Sequence, residues 1–260
     1  MMQDESGDGM ESSKELGNDV ETDEGTAMLS QHATDLLIGL MYADHLDVES
    51  SHEQRTIFRG GKDFFATFAP LTGIKNRTTL KRARWELQAC GALLSDQQQT
   101  HKHYHLAQTP WQIFKQFNGI MASPVRASRT YDAGTFAELL KLSGVDRKNF
   151  PLHTEGVVML QAATFGSDQP LIYAVSQLAY DRLLKAELAL KIAGSTPDHP
   201  DHRLVNIQTW STDPALVSRW LHAGMPTPQA DPLHYYLSVL SLSSVELKKD
   251  AAQLVAALLH

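Results

Sequence analysis

The chain's apolar positions fall mostly at helical spacing. Leu36, Leu37, Leu40, Met41 and Leu46 share one face of a helix predicted over Ala33 to Leu46. A polar connection ending in Gly60-Gly61 follows. Phe64, Phe65 and Phe68 give a short second helix, Lys62 to Phe68, an aromatic face, and Pro70 to Ile74 reads as a tight turn. Leu80, Ala83, Leu87 and Cys90 lie at offsets 0, 3, 7 and 10, the helical period. They predict a third helix from Arg77 to about Cys90. Asn76 is its expected N-cap and Gly91 its stop. Then come two segments of strand character, Ala92 to Ser95 and His101 to Gln108, joined by the polar loop Asp96 to Thr100.

Beyond Gln108 the pattern predicts further helices. Thr109-Pro110 opens one carrying Trp111, Phe114, Phe117 and Met121 on a single face. Residues 123–134 read as a linker. Helices follow over Thr135 to Leu142, Leu171 to Ala193, Pro214 to His222, Leu233 to Leu242 and Ser244 to Leu259. Val157 to Thr164 fits a strand or a helix, and Val205 to Trp210 a short strand.

The order helix, turn, helix, glycine, two-stranded ribbon resembles the winged helix-turn-helix superfamily. Phe65, Phe68, Leu71, Gly73, Ile74, Thr78, Leu80, Leu87, Gly91, Tyr104 and Leu106 carry the likeness, which covers a quarter to a third of the chain. One departure is a turn one residue longer than usual between Gly73 and Leu80. The fold expected is mainly α with a small β-ribbon: an N-terminal winged helix-turn-helix plus a mostly helical C-terminal domain. Domain bounds are set at 1–28 for an acidic tail, 29–108 for the winged module and 109–260 for the helical remainder.

Charge sharpens this division. The chain has net charge −7. Residues 1–28 hold nine acids against one base, Lys14, so that stretch alone carries −8. Nearly without large apolar groups, it is expected to be disordered. Two readings apply to it: a solubilising tail, or an acidic mimic competing for a basic surface. His52 to Gln108 holds nine Lys or Arg and four acids. No apolar run reaches the roughly 18 residues of a membrane helix, and the acidic start lacks a signal peptide's form. A single cysteine, Cys90, cannot form an internal disulfide. A reducing, cytoplasmic setting without membrane attachment is expected.

The chemistry concentrates in the third helix. Between Lys75 and Arg84 lie five cations and no acid. With Leu80 as the core direction and about 100° per residue, Thr78, Lys81, Arg82 and Trp85 point outward. An Arg or Lys in a major groove can reach guanine O6 and N7, so Thr78, Lys81 and Arg82 are the base-reading candidates. Lys62, Lys75, Arg77 and Arg84 are phosphate contacts, since such contacts position the protein without reading sequence. Asn76, Thr79, Trp85 and Lys102 complete the expected surface. Trp85 either clamps the strand backbone or packs elsewhere on this chain. His101, His103 and His105 alternate and project from one face of a strand, as imidazoles gathered for a metal such as zinc or as a half-exposed wing face touching phosphate or water. No cysteine or carboxylate nearby completes a metal site, and Asp198, His199, Asp201 and His202 read as a polar loop. No phosphate-cradling loop, dinucleotide glycine pattern or nucleophile elbow is found. A non-enzymatic protein without cofactor or metal is expected.

Three functions compete. The first is a sequence-specific double-stranded DNA binder regulating transcription, a homo-oligomer through its C-terminal helices. The second is a replication initiator, partition or transfer factor of a plasmid or phage, recruiting a protein partner through the C-terminal domain. A second helix-turn-helix at Thr135 to Val145 would favour it. The third is a protein-interaction scaffold without DNA binding.

Overall fold

A computed structural model describes residues 27–50, 56–98, 101–143, 157–159, 171–193, 204–217 and 230–259. The acidic stretch 1–26, the segment after Ser143 that would complete a second helix-turn-helix, and the Asp198 to His202 cluster lie outside the described residues.

The first helix, α1 (Gln31–Ser50), organises the fold. Leu36, Leu37, Ile38, Leu40, Met41 and Tyr42 are all fully buried, and Asp35 and Asp44 are nearly so. A helix apolar on one face was expected; from Ala33 to Tyr42 this one is buried on every side, while Leu46, expected on the stripe, is 39% exposed. Residues Ile38 and Tyr42, off the predicted stripe, are the reason. The strand β1 (Phe58–Arg59) follows, then α2 (Lys62–Thr72), α3 (Arg77–Ala89), β2 (Leu93–Gln98), β3 (His101–Leu106) and α4 (Pro110–Phe117). β1, β3 and β2 form an antiparallel sheet in that order. The ribbon is thus three-stranded, and β2 extends through Asp96 and Gln97 into what reads as a loop.

Helix α2 is longer than its pattern suggests. It continues through Pro70 to Thr72 and ends at Gly73, which adopts φ 67°, the left-handed conformation glycine tolerates. The turn into α3 is therefore only Gly73 to Asn76. Asn76 caps α3 as expected, its side chain accepting from Thr78 N at 2.8 Å. Thr109 caps α4 reciprocally with Gln112.

The remainder contains a second sheet that the pattern did not predict. β4 (Val125–Asp132) occupies the expected linker, and α5 (Ala133–Leu142) follows it directly, capped by Asp132. The expected long helix Leu171 to Ala193 is two elements, β6 (Leu171–Val175) and α6 (Gln177–Ala193). With β5 (Val157–Met159) and β7 (Leu204–Trp210) the order is β4-β7-β6-β5, parallel only between β6 and β7. Both faces are covered. Phe136, Leu139, Leu183 and Ala186 of α5 and α6 pack on Tyr173, Val175, Val205 and Ile207. On the other face, α7 (Pro232–Val239) and α8 (Val245–Leu259) set Tyr235, Val239, Leu247 and Ala251 on Ile172, Ala174 and Trp210. The protein is a mixed α and β structure, mainly helical, with two small sheets rather than one ribbon.

The two regions share one core. The cluster around α1 also takes in Val217, Leu233, Leu237, Val255 and Leu259, so apolar packing crosses the expected boundary at residue 108. Among the described residues no helix is long and apolar enough to cross a membrane.

Candidate nucleic-acid interface

Helix α3 buries Leu80, Ala83 and Leu87 against the core. Cys90 is half-buried, its thiol directed to Leu87 O at 3.3 Å. The opposite side is open: Lys75, Asn76, Arg77, Thr78, Lys81, Arg82 and Trp85 are exposed, while Thr79 and Arg84 are half-buried at the flanks. The 13 residues of α3 make a rod of about 20 Å at 1.5 Å per residue. Its one acid, Glu86, is turned to the α1 side. There its carboxylate accepts from Ser30 Oγ at 2.7 Å and from Ser30 N, so it caps α1 and docks it on α3. The outward face of α3 is therefore cationic without an internal counter-charge.

The expected site residues divide into two groups. Thr78, Arg82, Trp85 and Lys75 lie on the open face. Trp85 is 54% exposed and carries the Lys81 ammonium 4.5 Å above its ring centre. It packs on no other part of the chain deeply enough to be buried. The second group surrounds a cleft of about 290 Å³ between α2 and α3, lined by Lys62, Phe64, Phe65, Arg77, Leu80, Lys81, Arg84 and Gly61. The Arg77 guanidinium lies 5.3 Å from the centre of Phe65, and that of Arg84 4.5 Å from Tyr104 and 5.7 Å from Phe64. Tyr104 of β3 is buried and anchors this arrangement from below.

Lys102 is exposed on β3. Its carbonyl accepts from Gly60 N at 2.8 Å, which sets the ribbon beside the start of α2. A Cβ at Gly60 would stand 2.9 Å from that carbonyl, so only glycine permits the approach. Asn76 is committed to its cap and offers less to a ligand than expected. Of the strand histidines, His105 faces Asp96 at 3.5 Å and His103 Nδ1 is buried without a partner among the described residues. The described residues hold no group of three His, Cys, Asp or Glu placed to ligate a metal.

A second constellation was not legible in the sequence. His234, 3% exposed, lies between two carboxylates: Nδ1 to Asp231 Oδ2 at 2.8 Å and Nε2 to Asp35 Oδ1 at 3.3 Å. Tyr42 donates to Asp231 Oδ1 at 2.9 Å and accepts from Leu233 N. Thr212 donates to Asp35. Burial disfavours charge on His234, but the charge and hydrogen bonds of Asp231, helped by Asp35, win and raise it to about 10. Burial likewise pushes the Asp231 carboxyl up, and the His234 cation more than reverses this, holding it below its usual range. Burial and Asp231 together push the Tyr42 phenol well up. Closed to solvent, this network joins α1 to α7 and to the residues after β7; its geometry is that of a structural tie.

Compared with protein-family models, curated proteins and solved structures, the chain gives no match.

Proposed function

We propose that this protein binds double-stranded DNA sequence-specifically, as a transcriptional regulator, with α3 in the major groove. The observation that carries the reading is the outward face of α3: Thr78, Lys81, Arg82 and Trp85 exposed, and its one acid withdrawn to Ser30. A major groove about 12 Å wide admits one such helix. Thr78 and Arg82 read base edges; Lys75, Arg77 and Lys62 hold phosphates. The element order α1, β1, α2, α3, β2, β3 with sheet order β1-β3-β2 supports a winged helix-turn-helix reading, in which the β2–β3 ribbon and Lys102 flank the groove.

Of the two C-terminal stretches whose pattern fits an oligomer surface, Leu171 to Ala193 and Ser244 to Leu259, the first leaves more large apolar groups exposed. Helix α8 spends Leu247, Ala251, Val255 and Leu259 on the protein's own core. Helix α6 instead exposes Leu178, Leu188 and Ile192.

A gel shift at low salt tests DNA binding. Replacing Lys81 and Arg82 together by Ala weakens duplex binding sharply while the fold, read by circular dichroism, survives. Loss of the Lys81 cation beside the strand also lowers the slope of log K against log salt by about 1. Unchanged affinity and slope would remove α3 from the interface.

A further inference from the structure

We propose that the cleft between α2 and α3 is a phosphate pocket, in which Arg84, Arg77, Lys81 and Lys62 enclose a single phosphate group. Four cations line this space and no acid does. None of the four forms an ion pair among the described residues, and the Nε of Arg84 is buried with no hydrogen-bond partner. Arg84 itself is half-buried, and leaving its one buried N–H donor unsatisfied costs free energy that an accepting anion offsets.

The side chains are also pre-positioned. Tyr104 and Phe64 form a bed for the half-buried Arg84, which limits the rotamer freedom it has to lose on binding, and the exposed Arg77 lies over Phe65. A purely structural cation–π staple needs one cation on each ring and gains nothing from gathering four like charges about one void. The start of α2 adds to the field. Gly61 precedes its first turn and supplies no side-chain cap, and the positive end of that helix borders the cleft. At about 290 Å³ the space sits at the low end of ligand pockets. It is open on one side and has room for a phosphate with the sugar it is joined to.

The source of the phosphate is the DNA strand beside the groove entered by α3. That part of the inference rests on the proposed function; the pocket itself does not. A phosphorylated small molecule offers the same chemistry. The test follows the Arg84 Nε–H resonance of the full chain by NMR while inorganic phosphate is added at constant ionic strength, with chloride as control. We expect a saturable shift with phosphate and none with chloride. Absence of a saturable shift, or an equal response to chloride, overturns the pocket.

Arg84→Lys keeps the charge and loses the planar group. It is expected to weaken phosphate binding at least about fivefold, roughly the worth of one hydrogen bond; equal binding refutes the role of Arg84. Should that variant not fold, Lys62→Ala at the exposed start of α2 tests the pocket instead: weaker phosphate binding supports it and equal binding overturns it. Duplex DNA is then added to the wild type. If it moves the same resonance and abolishes the response to phosphate, the strand backbone is the source. A duplex that binds and leaves the resonance unmoved assigns the pocket to a phosphorylated small molecule. A duplex that does not bind at all sinks the proposed function and leaves the phosphate titration standing.

Discussion

The buried tie at His234 makes the protein's stability depend on pH in one direction. The folded state raises His234 from 6.5 to about 10. A group raised on folding stabilises fully below its unfolded value and loses that contribution as pH climbs through its folded value. Each unit is worth about 1.4 kcal/mol, so the whole shift amounts to roughly 5 kcal/mol. Between pH 6.5 and 8.5 the free energy of unfolding should therefore fall by roughly 2–3 kcal/mol. Asp231 acts oppositely: its carboxyl is lowered on folding, so its contribution is present above 3.8 and lost as pH falls. Stability should be greatest between these limits. Urea unfolding followed by circular dichroism at pH 5.5, 6.5, 7.5 and 8.5 measures the slope. His234→Gln removes the titrating group and leaves Asp35 and Asp231 buried without a cation, which costs about 3–5 kcal/mol. It should also flatten the profile above pH 6.5. A wild-type profile that is flat from 6.5 to 8.5, or a slope that persists in His234→Gln, would refute the charged Asp35–His234–Asp231 arrangement.

Three further expectations follow from single contacts. Gly73→Ala forces a side chain into φ 67° and sets a Cβ 3.0 Å from Leu216 Cδ1; a loss of at least about 1–2 kcal/mol is expected in urea unfolding. Tyr42→Phe removes the hydroxyl shared by Asp231 and Leu233 N and should cost about 1–3 kcal/mol in the same assay. Trp85→Ala, at an exposed site, should change stability by less than about 0.5 kcal/mol yet weaken duplex binding in a gel shift; a loss of stability with unchanged binding would make Trp85 a packing residue.

The stretch from α3 to α4 was largely legible because those helices carry their own punctuation, whereas α2 ran past its expected end and α1 is capped by the distant Glu86. Asn76, Gly91 and Thr109 mark ends by conformations and caps that act within a turn. What escaped depends on partners distant in sequence. β1 is two residues long, too short to show a period, and exists because β3 runs beside it. β6 is buried on both faces, so all five of its residues, Leu171 to Val175, are non-polar and continue into α6 without a change of pattern. β4 has the reverse problem: as an edge strand it is exposed along most of its length, and its polar composition reads as a linker. Within the site, the exposure of Thr78, Lys81, Arg82 and Trp85 followed from the apolar seam of α3 alone. The cleft did not, because Lys62 and Tyr104 come from elements whose approach depends on Gly60 and on the pairing of β1 with β3. The Asp35–His234–Asp231 tie spans about two hundred residues, and no local spacing hints at it.

Selection of duplexes from a random library, with the salt dependence of the winners, tests the central claim most directly. The account predicts enrichment of a shared motif by the wild type, with binding that falls steeply with salt. It further predicts that a Thr78→Ala, Arg82→Ala variant loses the motif preference while keeping salt-dependent binding through Lys62, Lys75 and Arg77. Selection that returns no common sequence, together with duplex binding that salt does not weaken, would contradict DNA reading by α3.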